Sequence, residues 1–274
     1  MKFVSLNISK YKILLWIIAF IITIGSAIYQ RMTGPTYPYR GEVVLEEGEI
    51  SFKLLRSETV GKDLKIELNI PNSDVTGTVR FRRYKSDDPW REIQMIHNED
   101  ELVARLPSQP PAGKIIYFVY VKKNGIQISL SGKEPIVARY KGYVPEIILI
   151  PHILLMFLAM LFSNRAALEA LDHRGNAYAY MLWTIGFFFV GGFIFGPLVQ
   201  KYAFGELWTG VPFGFDLTDN KTLIAMLGWI WAWVKNRKGR EARGWIIFAA
   251  ILMVTVYLIP HSVLGSELDY TKME

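Results

Sequence analysis

Two histidines are the residues of this sequence whose type and setting best suit binding chemistry. His152 and His261 each end the same tetrapeptide, Leu-Ile-Pro-His, and each lies in or beside a long apolar run. Ionisable residues are rare in membrane-spanning segments and usually face the interior of a helix bundle. Neutral imidazoles from two helices can ligate a b-type haem or a metal ion. The pattern therefore identifies both histidines as candidate cofactor ligands.

Several carboxylates are candidate partners of these imidazoles, either as further ligands or as groups that orient a ligating ring. They are Glu146, Asp216, Asp219 and Glu267, of which Asp216 and Asp219 complete the candidate metal set with the two histidines. The alternative interpretation is structural. Each histidine then marks an interfacial position, each preceding proline kinks its helix, and Asp219 caps a helix N-terminus. The sequence leaves both interpretations open.

Composition and motifs exclude several other classes of site. The chain has no cysteine, which excludes disulfides, thiolate metal sites and thiol catalysis. Its net charge is +6, but the basic residues are split among short segments, so nucleic-acid binding is not expected. There is no Gly-rich phosphate loop, Ser-His-Asp arrangement or zinc-protease helix, and no catalytic residue is identified. An enzyme is therefore the less favoured class.

Five apolar runs predict about five transmembrane helices. They cover residues 13–29, 147–162, 178–199, 223–234 and 245–264. The fourth is too short for a hydrocarbon core of about 30 Å, so its helix is expected to begin near Asp216 or Asp219. The first favours a membrane anchor. A cleaved signal peptide is the alternative, because Gly25 and Ala27 form a small-x-small pair after the run.

The flanking charges predict the orientation of these helices. Five basic residues lie between runs four and five, which the positive-inside rule places in the cytoplasm: Lys235, Arg237, Lys238, Arg240 and Arg243. The lysines before run one likewise predict a cytoplasmic N-terminus. Residues 164–177 then form a cytoplasmic loop, whereas residues 40–143 and the C-terminus are extracytoplasmic. We expect a multi-pass protein of the bacterial cytoplasmic (inner) membrane.

Residues 40–143 have the pattern of a β-rich domain exposed to water. Alternating apolar and polar residues predict strands at 49–54, 64–70, 79–82, 91–96, 101–106, 115–122, 126–130 and 135–140. Asn124-Gly125 between two such runs predicts a two-residue hairpin, because a type I′ turn needs positive φ at both positions. Seven to nine short strands favour an antiparallel β-sandwich.

One segment of this domain resembles a known fold family. Residues 106–121, LPSQPPAGKIIYFVYV, are similar to the corner and penultimate strand of immunoglobulin and fibronectin type III domains, and the resemblance covers residues 41–141. In those folds a tyrosine at the start of the strand bonds back to the preceding corner, and Tyr117 occupies the matching place. The absence of cysteines implies a fibronectin-like, disulfide-free version.

The predicted fold is therefore a multi-pass α-helical membrane protein with an inserted antiparallel β-sandwich. Residues 1–39 form an anchor and linker, 40–143 the sandwich, and 144–274 a four-helix transmembrane bundle with an interfacial loop at 197–221. The expected function is that of a membrane-anchored binding or scaffold protein, a subunit or assembly partner of a bacterial membrane complex. Its expected partners are the lipid bilayer and other membrane or periplasmic proteins. The alternative is a haem- or metal-binding redox protein in which His152 and His261 converge.

Overall fold

The fold divides into two compact units. The structure is a computed structural model that describes residues 11–45, 48–71, 74–237, 242–260, 265 and 267–272. A helical unit comprises Met1–Gly34, Val144–Tyr202 and Glu206–Gly265. A β unit comprises Pro35–Tyr143, Ala203–Gly205 and Ser266–Glu274. The carboxyl-terminal segment Ser266–Glu274 thus belongs to the β unit, although the sequence predicted it to be part of the helical bundle.

The described helices are α1 (Lys12–Thr33), α2 (Glu146–Ala170), α3 (Ala177–Phe204), α4 (Leu217–Asn236) and α5 (Arg243–Leu258). The first three are long and apolar enough to cross a membrane. The fifth is apolar but shorter, with 16 residues. The chain therefore has the helices of a membrane protein, and the described residues contain three candidate spans.

Helix α2 is longer than its apolar run. The sequence assigns residues 164–177 to a loop, but the helix continues to Ala170, so that prediction is wrong for residues 164–170. Alanine, leucine and glutamate dominate the added turns, and all three favour a helix. Arg165 and Glu169 also form an i,i+4 ion pair there. Only residues 171–176 separate α2 from α3.

Helix α3 contains a π-helical stretch, Val190–Phe195, and then continues as an α-helix to Phe204. The predicted loop at 197–221 is therefore too long at both ends, because α4 already begins at Leu217. Asp216 caps α4, with its Oδ1 accepting a hydrogen bond of 2.8 Å from the Thr218 amide. This start agrees with the expectation that the fourth helix begins near Asp216.

Helix α5 ends at Leu258, six residues before the predicted end. Ile259 has extended backbone angles, as expected for a residue that precedes a proline, here Pro260. Residues 261–264, including His261, lie outside the described residues, so the predicted approach of His261 to His152 is not addressed.

The helical core is built from small and apolar side chains. Ala159, Met160, Met181, Trp229 and Ala249 are among its fully buried members. The alanines allow α2 and α5 to approach their neighbours closely, which is the usual way in which helices associate in membranes.

The β unit contains eleven described strands. They are β1 (Tyr39–Leu45), β2 (Gly48–Leu54), β3 (Ser57–Thr59), β4 (Leu64–Asn69), β5 (Thr76–Arg83), β6 (Arg91–Gln94), β7 (Ile96–Asn98), β8 (Glu101–Leu106), β9 (Lys114–Lys123), β10 (Ile126–Ser129) and β11 (Ile136–Lys141). The sheets are β1-β2, β4-β8-β7 and β3-β11-β9-β5-β6, with β10 also paired to β9. Every described pair is antiparallel except β3-β11.

The alternating side chains of these strands share one hydrophobic core. Leu64, Ile66 and Leu68 of β4 contribute to it from one sheet, and Val119 and Val121 of β9 contribute from another. The intervening side chains point the other way, as strand geometry requires. The predicted hairpin is confirmed: Lys123 pairs with Ile126, and Asn124 and Gly125 have φ of 49° and 82°.

Tyr117 lies in this core rather than against the preceding corner. Its hydroxyl donates a hydrogen bond of 2.7 Å to the Leu55 carbonyl, 62 residues earlier, so the expected bond to the corner is wrong. The corner is contacted instead by Tyr140, whose hydroxyl lies 3.2 Å from the Pro107 carbonyl. Burial raises the pKa of the Tyr117 phenol above its ordinary value, which keeps the hydroxyl a donor.

The carboxyl-terminal segment is held to the β unit by several contacts. Glu267 forms ion pairs with Lys85 and Lys114. Tyr270 is buried, with its hydroxyl 3.0 Å from Gln109 Oε1 and the Arg83 guanidinium 4.6 Å from its ring centroid. Burial alone would raise the pKa of Glu267, but hydrogen bonds and the charges of the two lysines lower it below its ordinary value of 4.5.

Replacing Glu267 with glutamine is expected to destabilise the β unit by about 1 kcal/mol at neutral pH. The folded state lowers the pKa of Glu267 below its ordinary value of 4.5. The contribution of Glu267 to the stability of the β unit is therefore complete above pH 4.5, and it is lost as the pH falls through the lower pKa of the folded state. Hydrogen exchange of the β9 amides in the whole protein measures this difference. Glu134→Gln, at an exposed position, is the control. A difference that persists unchanged in acid would contradict the assignment.

Candidate functional site

His152 lies on the second turn of α2 and faces α3. Its Nδ1 is 2.9 Å from the carbonyl oxygen of Gly191 in the π-helical stretch. Because the carbonyl only accepts, Nδ1 carries the proton, and in the neutral ring the lone pair is on Nε2. The same carbonyl accepts from the Gly196 amide. His152 therefore has the backbone bond that orients a ligating imidazole, and also the bond that a purely structural histidine needs.

The α2–α3 contact requires glycine at position 191. A Cβ there would lie 2.9 Å from Leu155 Cβ and 3.3 Å from the Met156 amide nitrogen. The close approach brings the π-helical stretch within reach of His152, whose ring is partly buried.

Asp219 organises the loop between α3 and α4. Its Oδ2 accepts hydrogen bonds from the backbone amides of Thr209 at 2.6 Å and Gly210 at 3.0 Å, and from Gln200 Nε2 at 3.1 Å. Asn220 Oδ1 accepts a further bond of 2.7 Å from the Val211 amide. Asp219 is 6% exposed. Through these contacts Asp219 holds the loop against the start of α4.

The other carboxylates predicted as cofactor partners are Asp216, Glu146 and Glu267, and each has a structural position of its own. Asp216 caps α4, Glu146 is the first residue of α2, and Glu267 belongs to the β unit. Among the described residues, no group of three histidine, aspartate or glutamate side chains is placed to hold a metal ion. The described geometry thus assigns Asp216 and Asp219 to local folding.

Replacing Asp219 with alanine is expected to cost about 1–3 kcal/mol, because it leaves the partly buried amide of Thr209 and the buried amide of Gly210 without an acceptor. The unfolding temperature of the whole protein in detergent should fall, and the loop at 205–216 should become more sensitive to proteases. The matched control is Glu206→Ala, which removes an exposed carboxylate of the same loop. Equal behaviour of the two variants would show that Asp219 does not hold the loop.

A buried ion pair in the helical unit was not predicted. Arg165 is 0% exposed and Glu169 is 5% exposed, with Nη1 2.5 Å from Oε2. The Arg165 guanidinium lies 4.7 Å from the ring centroid of Tyr180 and 5.6 Å from that of Trp16. None of its nitrogens has hydrogen-bond geometry toward a described residue. The available signal was an arginine and a glutamate four residues apart directly after an apolar run.

A second feature that was not predicted lies on the β unit, on the outer side of the sheet that contains β5, β6 and β9. We call it the arginine–aromatic face, and it consists of Arg80, Arg82, Trp90, Phe118 and Tyr120. The guanidinium carbons of Arg80 and Arg82 lie 5.1 Å and 5.0 Å from the Trp90 ring centroid. The ring centroid of Phe118 lies 5.6 Å from that of Trp90 and 5.9 Å from that of Tyr120, on which Phe118 stacks. All five side chains are partly exposed.

Strand register shows why these side chains share a face. Arg80 pairs with Phe118, and Thr78 pairs with Tyr120. Residues directly opposite each other in antiparallel strands point to the same side of the sheet. The intervening residues, such as Val79 and Val119, are fully buried in the core. The arginine–aromatic face therefore points away from the core.

The charge of this side differs from that of the sheet β4-β8-β7. On β5, β6 and β9 the side chains directed away from the core include four basic residues, Arg80, Arg82, Lys114 and Lys122, against the single acid Glu92. On β4 and β8 they include two basic and two acidic residues, Lys65, Arg105, Glu67 and Glu101. Lys65 also lies 2.8 Å from Glu67. Positive charge is thus concentrated on one side of the β unit.

No protein family, curated protein or solved structure matches the chain. The function must therefore be inferred from the contacts and charges of the chain's own residues.

Proposed function

We propose that this chain is a membrane-anchored binding protein, and that its β unit recognises a partner through the arginine–aromatic face. In this proposal the chain is a multi-pass protein of the bacterial cytoplasmic membrane, in which α4 and α5 complete the transmembrane bundle. The β sheets form an extracytoplasmic sandwich of the immunoglobulin or fibronectin type III kind. The partner is another membrane or periplasmic protein, and the two form a membrane complex.

The observation that carries the proposal is the arginine–aromatic face itself. Arginine and aromatic residues are enriched where proteins bind one another, because they offer large contact areas together with directional hydrogen bonds. Trp90 restricts the movement of both guanidinium groups, so less side-chain entropy is lost when a partner binds.

The contacts of the predicted ligands give the haem or metal alternative less support. The ring of His152 is bonded to a backbone carbonyl, and Asp219 holds a loop. The bond of His152 fits a ligating and a structural histidine alike, whereas the contacts of Asp219 are those of a structural residue. Binding through the β unit is therefore the function that the described geometry supports best.

Site-specific photo-crosslinking in intact cells tests this proposal. The amino acid p-benzoylphenylalanine replaces Tyr120 in the face or, as a control, Val103 on the outer side of β8. We expect one protein to be crosslinked reproducibly from position 120 and not from position 103, and mass spectrometry identifies it. Identical products from both positions, or none from position 120, would contradict the proposed function.

A further inference from the structure

We propose that the arginine–aromatic face binds an extended acidic segment of a protein, in which carboxylates occupy alternate positions. This inference rests on the proposed function and specifies the chemistry of the partner. It follows from three properties of the face: the pairing state of its arginines, their spacing, and the aromatic rings beside them.

The first property is that two arginines of the face form no ion pair with a described residue, including Glu92, which lies directly opposite Arg80 on β6. Within the described residues, Arg80 and Arg82 form neither a hydrogen bond nor an ion pair, and their polar contact is with the Trp90 ring. The neighbouring cations differ, because Arg83 is bonded to Asp88 at 2.6 Å and Lys114 is paired with Glu267. Stacking on a ring leaves terminal N–H groups of a guanidinium free to donate, and in Arg82 these are the groups that remain accessible, because its Nε is buried without a hydrogen-bond partner. Carboxylates are acceptors that match this fork geometry.

The second property is the spacing of the two arginines. Arg80 and Arg82 are two residues apart on β5, so their Cα atoms are about 6.7 Å apart and their side chains leave the same side of the sheet. An extended peptide has the same repeat between its alternate side chains. Two carboxylates separated by one residue can therefore each meet one guanidinium. A segment with adjacent acidic residues would direct one of them away from the face.

The third property is the apolar surface beside the charges. Phe118 lies directly opposite Arg80 across the strands, and Tyr120 continues the row along β9. These rings offer contact area to the backbone and aliphatic side-chain atoms of a bound segment. They also reduce the local dielectric, which strengthens hydrogen bonds between charged groups. An extended acidic protein segment uses both the charged and the aromatic parts of the face.

A direct binding measurement with defined probes tests the inference. The whole protein is placed in nanodiscs of zwitterionic lipid, and fluorescence anisotropy follows a labelled peptide of alternating glutamate and threonine. The comparison probes are a block peptide of the same composition, made of Glu-Glu-Thr-Thr repeats so that no two glutamates are two residues apart, and an alternating peptide of glutamine and threonine. Vesicles containing phosphatidylglycerol are tested separately for binding to the same nanodiscs.

Two double variants are compared with the unaltered protein. The first combines Arg80→Gln and Arg82→Gln. The control combines Lys65→Gln and Arg105→Gln, and it removes two positive charges from the other sheet. We expect the alternating acidic peptide to bind at least tenfold more weakly to the first variant and equally well to the control. The block peptide should bind several times more weakly to the unaltered protein. The glutamine peptide should not bind.

Other outcomes would overturn the inference. Equal binding of the alternating and block peptides, or equal losses in both variants, would mean that overall charge alone attracts the probe. Binding of anionic vesicles through Arg80 and Arg82 without peptide binding would assign the face to lipid. If no probe binds but position 120 still crosslinks a protein in cells, the acidic-segment inference fails and the proposed function stands. If the crosslink is also absent, the proposed function fails.

Discussion

Replacing Arg165 with alanine is expected to destabilise the helical unit by about 3–5 kcal/mol, the usual loss when one partner of a buried ion pair is removed. The guanidinium is fully buried beside Glu169, and it lies against the rings of Trp16 and Tyr180. The variant leaves a nearly buried carboxylate without its counter-charge and opens a space between α1, α2 and α3. Unfolding of the whole protein in detergent, titrated with a denaturing detergent, measures the loss.

A double variant separates the lost charge balance from the lost packing. Arg165→Met with Glu169→Gln removes both charges, keeps side chains of similar length, and retains an oxygen for the Asn176 amide, which lies 3.0 Å from Glu169 Oε1. Neutral replacement of a buried pair is often tolerated, so most of the stability should return. The control Arg237→Ala removes an exposed cation near Trp233 and should cost at most about 1 kcal/mol. Wild-type stability of Arg165→Ala would contradict the burial of this pair.

The apolar runs predicted the existence of the helices better than their ends. The run at 147–162 stopped at the first polar residues, yet α2 continues through Arg165 and Glu169 to Ala170. Tertiary packing explains the difference, because Trp16 and Tyr180 cover a charge that the sequence alone assigns to water. The end of α5, in contrast, follows from a local rule, since Pro260 disfavours a helical Ile259.

Strand prediction succeeded where alternation and turn chemistry agreed. Residues 101–106 form β8 as predicted, and Asn124-Gly125 forms the expected hairpin. The strand β1 was not predicted, because Arg40 and Gly41 follow a proline-rich linker and weaken the alternating pattern. The bond from Tyr117 to Leu55 joins residues 62 positions apart and depends on the packed core. Such long-range contacts are not contained in local periodicity.

The candidate site was harder to predict than the fold. The repeated Leu-Ile-Pro-His drew attention to His152, but its bond to Gly191 depends on the close approach of α2 and α3. Alternating Arg80 and Arg82 were predicted to lie on a strand, which they do. Their relation to Trp90 and Phe118 requires knowing which strands are neighbours. That information comes from the sheet order β9-β5-β6.

Reversing both charges of the face tests the proposed function most directly. The double variant Arg80→Glu and Arg82→Glu turns the two basic groups that face the partner into acidic ones. Like charges placed opposite each other across an interface weaken binding by several kcal/mol. Recovery of the protein that position 120 crosslinks should fall at least about a hundredfold, which corresponds to about 2.7 kcal/mol. Lys62→Glu with Lys133→Glu makes the same change of charge at exposed turn positions. We predict wild-type recovery for this control; equal recovery from both variants would contradict the account.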